Sequence, residues 1–324
     1  MRTLVTGATG LLGNNVVRIL LSQGHDVRVL IRAPDIPRPL ADLDVEMVRG
    51  DVSDAKSIDA AVQGVDNVVH SAGFVKIGWS GLEEARKVNV EGTRLICDAA
   101  LRHQARLVHV STVNTLGLGR PGAPANEDSP PTEQVPCAYV VSKREAEQAV
   151  LSAVDQGLHG AIVNPGFMLG PWDWKPSSGR MLIEVATRFT PAAPPGGCSV
   201  VHVRDVAAGI LSTLEKGQPG RRYILAGENM SYLELWKAMA HVAGSRGPRW
   251  RLGIVIRFLS GHCGDVVYRL TGREPLINSA AVRMSAQHHY YSSQRAVDEL
   301  GYEVHPAEEA IRDAYDWFKA HDYL

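Results

Sequence analysis

Cysteine is scarce in this chain. Only four occur in 324 residues, Cys97, Cys137, Cys198 and Cys263, and no two of them form a C-x-x-C pair. That spacing excludes a zinc knuckle and a disulfide framework, so the four read as reduced thiols and no metal is expected. Net charge is nearly absent as well, at -1, which gives no overall field to gather nucleic acid or an anionic membrane. A small-molecule partner is the expectation. No apolar run is long and clean enough to span a bilayer: the stretch from Leu252 to Leu270 is broken by Arg257, His262, Asp265 and Arg269. The first strand signal begins at Arg2 or Thr3, which leaves no room for a charged and then apolar leader, so a cytoplasmic location is expected. Internal repeats and low-complexity tracts are missing too.

What the chain does have is 45% apolar and 21% charged residues, enough for a large core and more than one domain's worth of length. Short β-branched runs alternate with helical periodicity. Strands are predicted at Leu4-Val5-Thr6, Val27 to Ile31, Val45 to Val48, Asn67 to His70, Leu107 to Ser111 and Gly160 to Asn164. Helices are predicted at Asn14 to Gln23, Ile58 to Val62, Glu83 to His103 and Ala138 to Gln156. The alternation predicts an α/β fold, a Rossmann-like doubly wound parallel sheet over residues 1–170. After Pro171 prolines and the Gly196-Gly197 pair break the rhythm, and a smaller, mixed substrate lobe is expected over 171–324. Strands near Ser199-Val203 and Tyr223-Leu225 are expected to return to the main sheet.

Thr6-Gly7-Ala8-Thr9-Gly10-Leu11-Leu12-Gly13 directly follows a strand and opens a helix. In that context Gly7 permits the tight turn, Gly10 admits a pyrophosphate to the backbone, and Gly13 lets helix and strand pack closely. The free N-H groups of the helix start then face the phosphates, which makes Thr9, Leu11 and Leu12 candidate contacts. An NAD site would place an acid at the end of the second strand. Here that residue is Arg32, which favours the 2'-phosphate of NADP, with NAD as the alternative should Asp35 reach the ribose.

Tyr139 and Lys143 stand four apart on one helix face after Pro136. An ammonium beside a phenol is expected to favour the phenolate, so that Tyr139 exchanges a proton with an alcohol or carbonyl oxygen. Thr112, at a strand end, is placed to hydrogen-bond the same oxygen.

These motifs, with Gly50-Asp51-Val52, His70-Ser71-Ala72-Gly73, Val88 to Thr93, Asn164-Pro165-Gly166 and Val201 to Val206, resemble the extended short-chain dehydrogenase/reductases. Within that branch, Val29 to Arg32, Pro171 to Pro176, Leu270 to Pro275 and the stretch from Ser292 to Tyr302 are most similar to dihydroflavonol 4-reductase-like proteins, including the hopanoid-associated sugar epimerase group. The resemblance implies a Thr112, Tyr139 and Lys143 triad. It also implies cofactor contacts from Asp51, Val52, Ser71, Ala72, Gly73, Asn89, Pro165 and Phe167, and a homodimer packed through the two long helices.

The branch holds reductases, epimerases and dehydratases. Its nucleotide-sugar dehydratases carry Asp-Glu after the catalytic Thr, whereas Val113-Asn114 stand here and neither can move a proton. Its UDP-galactose epimerases carry an arginine at the position of Cys198, which offers a diphosphate no charge. Phe74, Trp79, Asn114, Trp172, Trp174 and Arg180 are the candidate substrate contacts, a largely apolar set with one cation. The expected activity is NADP(H)-dependent reduction of a carbonyl compound, apolar or sugar-like. Nucleotide-sugar epimerisation is the alternative, and a non-catalytic dinucleotide sensor is the alternative of another class.

Overall fold

A computed structural model describes residues 1–324. Its first strands are β1 (Arg2–Thr6), β2 (Asp26–Ile31), β3 (Glu46–Arg49), β4 (Asn67–His70), β5 (Arg106–Val110) and β6 (Gly160–Pro165). They are followed by β7 (Phe167–Leu169), β8 (Ala192–Ala193), β9 (Gly197–His202) and β10 (Arg222–Leu225). Seven of these make one parallel sheet in the order β10-β6-β5-β4-β1-β2-β3. The chain turns from one half of the sheet to the other between β1 and β4, and a crevice opens there beyond their carboxyl ends.

Helices cover both faces, which is why the central strands are apolar on both sides. In chain order these are α1 (Leu11–Ser22), α2 (Ala55–Val62), α3 (Leu82–Ala85), α4 (Gly92–Arg102), α5 (Ala138–Val154), α6 (Gly179–Thr187) and α7 (Val203–Lys216). One face buries Val16, Val17 and Ile210 from α1 and α7. The other buries Ile58, Ile96 and Val150 from α2, α4 and α5. Helix α1 starts three residues earlier than its apolar periodicity indicates, because Gly13 can sit inside it. The predicted helix from Glu83 to His103 is also not uniform: a π-turn at Arg86–Glu91 separates α3 from α4 and buries Asn89.

Tyr223-Leu225 joins the main sheet as expected, beside β6. The stretch around Ser199-Val203 does not. It forms β9, the centre of a second sheet with β7, β11 (Glu228–Ser231) and, beyond a short pairing of β8 with β12 (Trp250–Arg251), β13 (His288–His289). The open edge of β6 is already taken by β10, and a strand buried on both faces reads alike in either sheet.

Helices α8 (Tyr232–Ala243), α9 (Ile254–Thr271), α10 (Ser279–Met284), α11 (Gln294–Leu300) and α12 (Ala307–Ala320) complete the chain. α6, α8 and α12 pack a second core around Leu182, Leu235, Ile311 and Phe318. α11 returns Ala296 and Leu300 to the core of the main sheet. No helix is long and apolar enough to cross a membrane.

Candidate active site

The three glycines of the first turn each meet a different constraint. Gly7 has a left-handed backbone (φ 72), and a Cβ there would stand 2.7 Å from the Ala72 nitrogen, so the β1 and β4 loops touch backbone to backbone. At Gly13 a Cβ would come within 2.2 Å of the Gly7 carbonyl oxygen. Gly10 meets nothing closer than 3.4 Å and leaves its backbone open to approach. α1 then begins with no side-chain cap and no acid in its first turn, so its first N-H groups are free for an anion. This cradle fits a dinucleotide pyrophosphate, with Gly7, Thr9, Gly10, Leu11, Leu12 and Gly13 around it.

A buried chain of hydrogen bonds ties that turn to the next loop. Thr93 donates to the Asn89 carbonyl at 2.6 Å, so its oxygen accepts from His70 Nε2 at 3.1 Å. His70 Nδ1 then accepts from Thr6 at 2.8 Å, and Thr6 accepts from the Ala72 N-H at 3.2 Å. Burial pushes the imidazole down to about 3, so it stays neutral and can fill both roles. Asn89 completes the support. It clamps Phe74, accepting from its N-H at 2.7 Å and donating to its carbonyl, and donates to Ser142 of α5 at 2.9 Å. Its amide is spent behind the Ser71-Ala72-Gly73 loop, which itself faces the crevice.

Thr112 lies just past β5, and Tyr139 and Lys143 project from the first turns of α5. Lys143 is 5% exposed and donates to the Val110 carbonyl at 2.6 Å. A Cβ on Gly73 would lie 3.8 Å from its Nζ, so the glycine loop and the lysine share the crevice floor. The electrostatics depart from the expected phenolate. Burial pushes Tyr139 up to about 12, offset in part by Thr112, and pushes Lys143 down to about 8, offset by Glu147. The ammonium is turned to a carbonyl, and desolvation outweighs its pull on the phenol.

Glu147, one turn beyond Lys143, is a positioning residue that the motifs did not reveal. One of its oxygens accepts from Ser111, Thr115 at 2.7 Å and Asn164 at 2.8 Å, and the other accepts from Arg222 at 2.9 Å. It thereby fixes both flanks of Thr112 and links β5, β6 and β10. Its spacing from Lys143 on the same helix face was the available signal.

At the other end of the cleft, Arg32 extends into solvent from the end of β2, its side chain 81% exposed and 3.9 Å from Asp51. Ser53 donates twice to Asp51 and holds its carboxylate below the usual range. Cation and anion thus flank the same strand ends, while Asp35 is exposed in the following loop.

The candidate substrate residues divide into two groups. Phe74 and Trp79 lie on the loop after Gly73, and Asn114 follows Thr112, its N-H reaching the Thr112 oxygen at 3.3 Å. The Trp79 indole donates to Ser279 of α10 at 2.8 Å. Trp172 and Trp174, expected in the pocket wall, instead pack with Trp317 of the last helix and His321 just beyond it. Arg18 of α1 lies 3.3 Å above the Trp172 ring and Arg38, in the segment after β2, 4.7 Å above Trp174, so both indoles serve contact between the dinucleotide-side elements and the second core. Arg180 is exposed on α6, next to Gly179, which packs against Phe318 of that core. Pro165 ends β6, and Phe167 follows it on β7 with its ring packed against the second core. Cys198 is buried, and its thiol is pushed well up.

A family profile described as NAD dependent epimerase/dehydratase family matches residues 3–226. A Synechocystis sp. protein named "Putative dihydroflavonol 4-reductase" is 35% identical, over 99% of this chain and 95% of its own length. Sterol demethylase protein B of Methylococcus capsulatus is also 35% identical, over 98% of both chains. The crystal structure of gox2253 superimposes with a TM-score of 0.87 at 36% identity, covering 99% of both chains.

Proposed function

The chain belongs to the NAD dependent epimerase/dehydratase family and is an enzyme of the short-chain dehydrogenase/reductase type, and we propose that it is an NADP(H)-dependent reductase of a ketone or aldehyde. When bound, the nicotinamide supplies the hydride, and the protons are moved by this chain's own residues. The arrangement that carries the reading is the Tyr139 phenol on the first turn of α5, with Thr112 just past the end of β5, and burial pushes that phenol up to about 12. Such a phenol is fully protonated at neutral pH and serves as a proton donor to a carbonyl oxygen becoming an alkoxide. Thr112 orients that oxygen, and the Lys143 ammonium stabilises the phenolate left behind.

The surroundings support reduction over the family's other reactions. Val113 and Asn114 follow Thr112 and offer no second acid or base for elimination. The buried Cys198 thiol brings no cation to a sugar diphosphate. One relative bears the name of a reductase and the other a name that refers to a sterol, which accords with a small, largely apolar substrate. Arg32 supports NADP over NAD. A homodimer packed through α4 and α5 is part of this reading, and sedimentation tests it directly.

NADPH oxidation against a panel of ketones and aldehydes tests the reading. Turnover that Tyr139→Phe removes, with cofactor binding retained, is expected. Isomerisation of a nucleotide sugar without net NADPH oxidation would move the protein to the epimerases, and tight binding with no turnover would make it a sensor.

A further inference from the structure

Helix α9 is oriented the wrong way round for a helix facing water. It spans 18 residues, about 27 Å, and touches the rest of the protein through a narrow stripe in which only Gly261 and Gly264 are buried. These glycines let its backbone lie against Ile277, Asn278 and Ser279: a Cβ on Gly264 would fall 1.9 Å from the Ile277 carbonyl oxygen. The opposite stripe carries Val255, Ile256, Leu259, Cys263, Val266, Val267 and Leu270 at helical spacing. The six large aliphatic ones are between 46% and 81% exposed. A surface helix ordinarily turns its polar side outward. A contiguous apolar strip of this length marks a docking surface.

Charge identifies what docks. From Arg246 to Arg283 there are seven arginines and no lysines against two acids, Asp265 and Glu274, in a chain whose net charge is -1. Both acids are engaged: Ser279 N-H donates to Asp265 at 3.0 Å, and Glu274 accepts from the N-H groups of Trp79 and Ser80 and pairs with Lys76. Exposed Arg249, Trp250 and Arg251 lie just before the helix, and Arg269 and Arg273 at its far end. An apolar strip bordered by arginine and tryptophan is suited to the boundary of an anionic phospholipid bilayer. A second copy of the chain would bring the same positive surplus against itself.

The strip is continuous with the crevice. Asn278 donates to the Ile77 carbonyl at 3.0 Å, and Trp79 is held by Ser279. Val75, Ile77 and Trp79 are exposed, as are Leu276 and Ile277 opposite them. α10 packs Ala280 and Met284 against Val140 beside Tyr139.

We propose that α9 and its flanking arginines dock this protein peripherally on an anionic phospholipid surface, with the rim of the catalytic crevice turned toward the lipid. The docking stands on the surface alone. A consequence that rests on the reductase reading is that a carbonyl substrate dissolved in the bilayer reaches Tyr139 from the lipid side.

Co-sedimentation of the full chain with vesicles of phosphatidylcholine alone, and of phosphatidylcholine with phosphatidylglycerol, tests the docking. Binding to the anionic vesicles is expected, weakened by salt, and reduced about fivefold by each of Arg249→Ala and Arg251→Ala. Leu259→Asp is expected to abolish it, with circular dichroism unchanged and the melting temperature close to wild type because that side chain is more than half exposed. Absence of binding to anionic vesicles overturns the proposal. So does a dimer in solution that Leu259→Asp dissociates without any vesicle binding, which would assign the strip to a second copy. For the consequence, Leu259→Asp should slow NADPH oxidation by a vesicle-borne ketone and leave the rate with a water-soluble ketone unchanged; equal rates with both would leave docking intact and remove the delivery role.

Discussion

Replacing Lys143 by methionine should stabilise the fold while stopping the enzyme. Burial lowers the ammonium from its usual 10.5 to about 8, and each pH unit of such a displacement corresponds to about 1.4 kcal/mol. Below pH 8 both folded and unfolded chains carry the proton, and the folded state bears the whole cost, about 3 kcal/mol. Between pH 8 and 10.5 the folded chain releases the proton first, so the wild type gains stability as pH rises and the cost disappears above 10.5. Methionine removes the charge but also the hydrogen bond to Val110, which contributes about 1 kcal/mol. Lys143→Met is therefore expected to be about 2 kcal/mol more stable at pH 7 and to lose that advantage by pH 10.5. Urea unfolding followed by fluorescence at the two pH values measures the difference, and NADPH binding and oxidation at pH 7 should both decline. A variant less stable than wild type at pH 7, or an advantage that does not change with pH, would refute the reasoning.

Arg32→Asp should move preference from NADP toward NAD by roughly ten- to hundredfold, the worth of a hydrogen-bonded ion pair to the 2'-phosphate. Unchanged selectivity in titrations removes Arg32 as the reader. Gly13→Ala must displace the Gly7 carbonyl from 2.2 Å, and overpacking of this kind costs about 1 to 3 kcal/mol; a melting temperature and a cofactor affinity equal to wild type would contradict the cradle. Acid should destabilise the fold through His70 and His289, held down to about 3 and about 4 by burial. Their stability is complete above pH 6.5. Below that the unfolded chain takes protons the folded one refuses, and about 3 kcal/mol is lost by pH 5.5. A flat unfolding profile from pH 7 to 5.5 would show that these imidazoles are protonated without cost.

Much of the site was legible along the chain because its signals are local. A strand, a glycine turn and a helix follow one another without interruption from Arg2 to Ser22, and Tyr139 and Lys143 share a face because a helix repeats every 3.6 residues. The succession of β1 to β6 along the chain follows from the same alternation. Asn89 and Glu147 were different. Both act through residues far away in sequence: Asn89 reaches back to Phe74, and Glu147 gathers Ser111, Asn164 and Arg222.

By itself, then, the sequence determined a parallel α/β sheet, the glycine cradle and the helix carrying Tyr139 and Lys143, since each depends on neighbours a few residues apart. Only the tertiary structure decided that β9 leaves the main sheet, that Trp172 and Trp174 face Trp317, and that Tyr139 is a half-buried phenol whose proton is held tightly. It also decided which side of α9 meets the protein. Periodicity identifies a stripe of apolar residues, but only long-range packing determines whether that stripe is covered, and a net charge of -1 averages away seven arginines gathered beside one helix.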